Sequence, residues 1–299
     1  MSKVYKIVQE RILERLENAI NSGEKFTWVK PWNGLSAPQN FVSKKAYSGI
    51  NLLLLPMGGY YLTMKQINSL GGKVIKGSKP FPVVYWSFIE SNKSEVSEEA
   101  EALGETKKVP IFKYYNVFHQ SQVSGIEFPS VDVMTDEVVN NKAEELVELY
   151  SSIVSINEVQ GSNEAYYTPT HDGIYLPKHT QFESKNKFYA TAFHEMIHST
   201  GHKTRLDRFK EGTKFGSEIY SKEELVAEIG ASMLLAHCGI EDENIQNNSI
   251  AYLKGWYEQI KTGNVNEITI ASQQAQKAFN FIVEKVDEIK NLETDILTA

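Results

Sequence analysis

Few local structures can satisfy the pentad His194-Glu195-Met196-Ile197-His198. Residues four apart on a helix lie on one face, so His194 and His198 can each point a ring nitrogen at the same ion. Glu195 is displaced around the helix and would meet a water beside that ion, which is where a general base belongs. From Lys187 to Thr200 the chain has helix formers and neither Pro nor Gly, and it breaks at Gly201, as a helix end should. Phe188, Ala192, Phe193, Met196 and Ile197 would bury this helix. The competing reading is a core helix with two hydrogen-bonded histidines.

A catalytic zinc keeps three protein ligands and one open position, so a third donor is expected outside the pentad. His202 extends the spacing but follows Gly201 and leaves the helix face. Glu224 and Glu228 lie one turn apart on an otherwise apolar helix expected from Lys222 to His237. A buried carboxylate needs a metal, a histidine or a cation as partner. Glu224 is the first choice as ligand, with Glu228 receiving the outer N–H of a bound histidine; Glu228 on the metal is the second. Ser221 and Glu224 also fit a capping box, which would turn Glu224 back to the helix start. Tyr220 and His202 are the positional candidates for stabilising an oxyanion. Two imidazoles and a carboxylate suit zinc and several other divalent ions.

With 299 residues, 41% of them hydrophobic, the chain can bury a substantial core, and its length favours two domains. Apolar runs such as Leu52 to Leu55 are too short for a bilayer, so no membrane association is expected. Glu10, Glu14 and Glu17 fit neither a signal nor a transit peptide. A single cysteine, Cys238, excludes an internal disulfide, and the expected location is the cytoplasm. The net charge of -7 divides into +5 over residues 1 to 130 and -12 over the remainder. Such a split points to a module for an anionic partner joined to one that is not. A monomer or weak oligomer is expected.

Val4, Val8, Ile12, Leu16 and Ile20 recur at steps of four and predict an amphipathic helix ending at Gly23. A short helix over Thr63 to Leu70 and a strand over residues 82 to 86 follow. Residues 90 to 108 read as a flexible Ser- and Glu-rich connection within a β-hairpin that returns at Ile111 to Phe118. Gly125 to Asp132 is the expected boundary. Beyond it come a helix over Thr135 to Ser152, short strands within Tyr166 to Pro177 turning at Asp172-Gly173, and helices after the pentad over 222–237, about 250–261 and about 268–290.

The basic half interleaves Trp32, Tyr47 and Trp86 with Lys30, Lys44, Lys45, Lys65, Lys73, Lys76 and Lys79, and Asn51 lies among them. Stacking aromatics with a cationic groove are what single-stranded nucleic acid requires, although aromatics in a small sheet domain are more often core.

Lys30-Pro31-Trp32, Asn40, Tyr47-x-Gly49-Ile50-Asn51-Leu52-Leu53-Leu54, Lys65-Gln66, Leu70-Gly71-Gly72-x-Val74-x-Lys76-Gly77 and Tyr85-Trp86 together resemble the N-terminal domain of ArdC-like antirestriction proteins. The second half resembles the same family's zincin-type domain. It carries Phe193-His194-Glu195-x-x-His198-x-Thr200-Gly201-His202-x-x-Arg205-Leu206, Phe215-Gly216-Ser217, Tyr220 and Glu223-Glu224-Leu225-Val226-Ala227-Glu228. The resemblance covers nearly the whole chain. It implies a single-stranded DNA-binding domain fused to a metallopeptidase-like domain, carried on mobile elements to protect incoming DNA from restriction. It also favours Glu224 as the third ligand. Ser199 stands where the family commonly has Trp, His119 replaces an Asn, and Ser78 and Pro80 interrupt a Lys-Gly-Glu-Lys-Gly turn.

The expected fold is α+β: a small basic α+β domain over 1–128, then a mainly helical zincin-like domain over 133–299. The expected partners are single-stranded DNA and an unidentified protein or peptide substrate. Two further readings remain, a DNA-tethered zinc protease acting on DNA-associated proteins and a DNA-binding protection protein with a vestigial metal site.

Overall fold

Val4, Val8, Ile12 and Leu16 form one buried stripe along α1 (Lys3–Ser22). The helix stops where Gly23 takes a φ of 68°, a left-handed conformation that suits glycine. The structure, a computed structural model, describes residues 3–23, 28–29, 37–90, 108–129, 135–209, 218–240, 250–262 and 266–298.

The first half continues with β1 (Gln39–Asn40), α2 (Ile50–Leu54), β2 (Tyr60–Leu62), α3 (Met64–Ser69), β3 (Lys73–Val74), β4 (Phe81–Glu90), β5 (Lys108–His119) and β6 (Val123–Ser124). Four strands make a sheet in the order β1-β2-β5-β4, and β3 pairs with β6. The β4–β5 hairpin pairs antiparallel from Phe81↔Val117 to Glu90↔Lys108. The connection expected between these strands falls at 91–107, outside the described residues. α3 opens on a capping box in which Thr63 Oγ1 accepts from Gln66 N while Gln66 Oε1 accepts from Thr63 N. The pattern did not disclose α2, a single turn with Ile50, Leu52, Leu53 and Leu54 all buried; five residues are too few to show a period.

The second half holds α4 (Asp136–Tyr150), β7 (Ser155–Val159), β8 (Tyr166–Thr168), β9 (Gly173–Pro177), α5 (Lys185–Ser199), α6 (Glu218–Cys238), α7 (Ile250–Thr262) and α8 (Asn266–Thr298). Its sheet runs β7-β9-β8, with β7 parallel and β8 antiparallel to β9. The turn before β9 places Asp172 at φ 47°. α6 begins at Glu218, before the expected Lys222, and α8 runs to Thr298, beyond Lys290. β7 was not expected, because its mostly exposed residues do not alternate cleanly. The chain is therefore α+β, with the helical weight in its second half.

Apolar packing continues across both halves. Val8, Ile12 and Leu53 share one cluster with Ile197, Leu234 and Ala275. α1 packs on α7, and α2 on α8. Gln9 Nε2 donates to Ile260 O at 2.8 Å, Gly49 N donates to Gln276 Oε1 at 2.9 Å, and Trp28 meets Trp256 edge-on. Of the expected boundary segment, residues 130–132 lie outside the described residues. Among the described residues no helix is long and apolar enough to cross a membrane.

Candidate metal centre

α5 is fastened at both ends. Ser184 Oγ accepts from Lys187 N at the start, satisfying a backbone donor that the helix leaves orphaned. At the other end Arg205 Nε donates to Ser199 O at 2.8 Å and Arg208 Nη2 to Ile197 O at 2.9 Å, so two guanidinium groups cover the last carbonyls. α6 crosses close by: a Cβ on Gly230 would lie 2.7 Å from Ile197 Cδ1, so any larger residue must displace Ile197.

Across this contact three donors converge. His194 Nε2 and His198 Nε2 are 3.1 Å apart. Glu224 Oε2 lies 3.5 Å from His194 Nε2, and Glu224 Oε1 lies 3.3 Å from His198 Nε2. Metal–nitrogen bonds of about 2.0–2.1 Å at tetrahedral angles set donors roughly 3.3 Å apart, so the arrangement fits a divalent ion. Among the described residues, these are the three whose ligand atoms lie within 4.8 Å of one another. Ser221 lies inside α6 and not at its start, so the capping-box reading has no helix terminus there.

Burial and the neighbouring His198 disfavour the charged imidazolium of His194, but the hydrogen bond it donates to Glu224 and the charges of Glu195 and Glu228 outweigh them and raise its pKa. His198 follows the same balance: burial opposes, Glu223 and Glu224 prevail, and its pKa rises to about 10. Glu224 is opposed by burial too, and the two imidazoles hold it below the usual carboxylate range. The two imidazoles and the Glu224 carboxylate thus carry opposite charges at one point.

Glu195 and Glu228 are both buried. His202 sits away from the three donors, its Nδ1 2.8 Å from Thr204 Oγ1 and 3.7 Å from Asp172 Oδ2. Tyr220 belongs to α6, but its side chain is outside those described. The sequence reading missed Glu223, whose Oε1 lies 3.4 Å from His198 Nδ1 and whose carboxylate is gripped by Arg208. Its position next to Glu224 was the available signal. It also missed the clamp of Arg205 on Asp172 and Tyr167, which depends on a loop returning to the β8–β9 turn and has no local signature.

In the first half Lys45, Lys65, Lys73, Lys76 and Lys79 are exposed. Lys44 is also exposed, with its ammonium 4.1 Å from the centroid of the Phe41 ring. Tyr47 packs edge-on against Tyr61, and burial pushes its phenol pKa up. Asn51 bonds both backbone groups of Val84, at 2.8 and 2.9 Å, and so joins α2 to β4. Lys30 and Trp32 lie outside the described residues; Trp86 pairs with Phe112 through the backbone, and its side chain is not described. An exposed aromatic pair that the pattern did not single out, Tyr85 and Tyr115, stands with ring centroids 5.6 Å apart. Lys113 is the register partner of Tyr85.

A helix bearing His-Glu-x-x-His whose imidazoles meet a carboxylate from the next helix defines a zincin-like site, here preceded by a basic sheet module. Residues 141–274 match the family described as zincin-like metallopeptidase, and residues 2–118 match the N-terminal domain of anti-restriction factor ArdC. The chain is similar to the antirestriction ArdC protein of plasmid R388 in its metal-free crystal structure: 31% identity and a TM-score of 0.71, over 96% of this chain and 99% of that one. The Mn(II)-bound structure of that protein gives 30% identity and the same TM-score of 0.71, over 95% and 98%. This chain belongs to the ArdC family of antirestriction proteins. It is also 32% identical to a DNA primase TraC of Escherichia coli over 95% of this chain, but spans only 28% of the primase's length. The uncharacterized protein y4eC of Sinorhizobium fredii is 27% identical over 91% of this chain and 90% of its own.

Proposed function

We propose that this chain binds single-stranded DNA through residues 1–128 and cleaves peptide bonds at a metal centre in residues 133–299, in the service of antirestriction. The observation that carries the reading is the convergence of His194, His198 and Glu224 beside the buried Glu195. We take these three as ligands and zinc as the ion. When bound, a divalent ion supplies Lewis acidity toward a carbonyl and a water acidified toward neutral pH.

Glu195 is the general base. It is buried next to His194 on α5, where it would take a proton from a water and return it to a leaving amine. Glu228 is buried one turn after Glu224 on α6, and we assign it the outer N–H of His194. The exposed lysines supply phosphate contacts, and Tyr85 with Tyr115 supplies exposed rings of the type on which unpaired bases stack. The similarity to a DNA primase TraC is consistent with work on nucleic acid.

The test is binding to single- and double-stranded oligonucleotides across a salt series, with metal content measured on the same sample. Salt-sensitive preference for single strands and about one divalent ion per chain are expected. His194→Ala should lose the ion. Glu195→Gln should keep it while abolishing cleavage of a DNA-associated protein. Retention of metal by both Glu224→Ala and Glu228→Ala overturns the ligand set, and full antirestriction by Glu195→Gln overturns the peptidase role.

A further inference from the structure

We propose that Glu223 and Arg208 form a clasp that sets which nitrogen of His198 faces the metal, making Glu223 a positioning residue of the centre. This inference rests on the ligand assignment above. His198 is bracketed by consecutive carboxylates: Glu224 Oε1 lies 3.3 Å from its Nε2 and Glu223 Oε1 lies 3.4 Å from its Nδ1. A neutral imidazole carries one N–H. With that hydrogen on Nδ1 and directed to Glu223, the Nε2 lone pair is free for an ion. The other tautomer would set a lone pair against a carboxylate and an N–H against the ion.

Glu223 is not itself placed to bind the ion. Arg208 Nε donates to its Oε2 at 3.0 Å and Nη2 to its Oε1 at 2.6 Å, the two-point grip that suits a guanidinium. Arg208 is anchored in turn, with Nη1 2.7 Å from Thr200 Oγ1 and Nη2 2.9 Å from Ile197 O. Side-chain exposures of 6% for Arg208 and 12% for Glu223 keep water from competing with the pair. The clasp therefore connects the end of α5 to α6 and aims one ligand ring at the same time.

The full metal-free chain is titrated with Zn(II) and Mn(II) against a chromophoric chelator, and exchange of the His198 Nδ1 proton is followed by NMR in the zinc-loaded state. Glu223→Gln should weaken binding about 10- to 100-fold and speed that exchange. Arg208→Lys, which keeps the carboxylate and a charge, should move both readouts less in the same direction. Wild-type affinity and unchanged proton exchange in Glu223→Gln would show that the clasp only holds helices together, and the proposal fails. Absence of binding by the unaltered chain overturns the metal centre itself and the clasp with it, whereas loss of binding on His194→Ala with none on Glu223→Gln overturns the clasp alone.

Discussion

Ser199 and His119, two departures from the family pattern, both find partners. Ser199 Oγ bonds Tyr150 OH at 2.8 Å in the core, and His119 bonds Gly58 O through Nε2 and Ser121 Oγ through Nδ1. Gly230 has the opposite character, since what matters there is an absent side chain. An added Cβ would meet three Ile197 side-chain atoms at 2.7 to 3.0 Å. Gly230→Ala should therefore destabilise the protein by about 1–3 kcal/mol despite its better helix propensity, read as a lower thermal midpoint. Ile197→Val on the same background should recover part of that loss, and a simple sum of the two effects would disprove the contact.

Among the elements, α5 was the most legible, because its apolar face, its two histidines and its stop before Gly201 all lie within one continuous segment, although its cap at Ser184 was not read. Its attachment was not legible. Arg205 donates to Ser199 O and also grips Asp172 on the β8–β9 turn and Tyr167 on β8, so one side chain holds the helix end to the sheet. Arg205→Met should cost about 1–3 kcal/mol, a buried-pair loss reduced because the Asp172 side chain is 34% exposed. The check is a lower denaturant midpoint with an unchanged slope; a changed slope would mean that the fold itself had altered. β7 and α2 escaped the pattern for a shared reason: one is mostly exposed and the other mostly buried over five residues, so neither carries a period.

Across the molecule, the charge cluster makes stability depend on pH from both sides. Asp172 is held low by Arg205, and Glu223 and Glu224 are held low by their partners against the effect of burial. Depressed carboxylates contribute fully above about pH 4.5 and lose that contribution as pH falls through their folded values. His198, raised to about 10, contributes below its ordinary value and loses that contribution as pH climbs toward 10. The metal-free protein should therefore weaken below about pH 4 and again above about pH 7. Saturating metal should remove the alkaline loss, since ligand imidazoles are neutral. Thermal midpoints across pH, with and without chelator, decide this; an alkaline loss that persists with bound metal would show that His198 is not a ligand.

Local information was enough for the pentad helix, the amphipathic α1, the β4–β5 hairpin and the basic first half. In each, the periodicity, caps or charges sit within a short stretch of chain. Which of His202, Glu224 and Glu228 comes near the two imidazoles was not a local matter. It depended on where α6 starts, on the close approach that Gly230 permits to Ile197, and on Arg208 returning from the loop after α5 to take Glu223. Those are contacts between distant segments, and no spacing along the chain records how near two helices come.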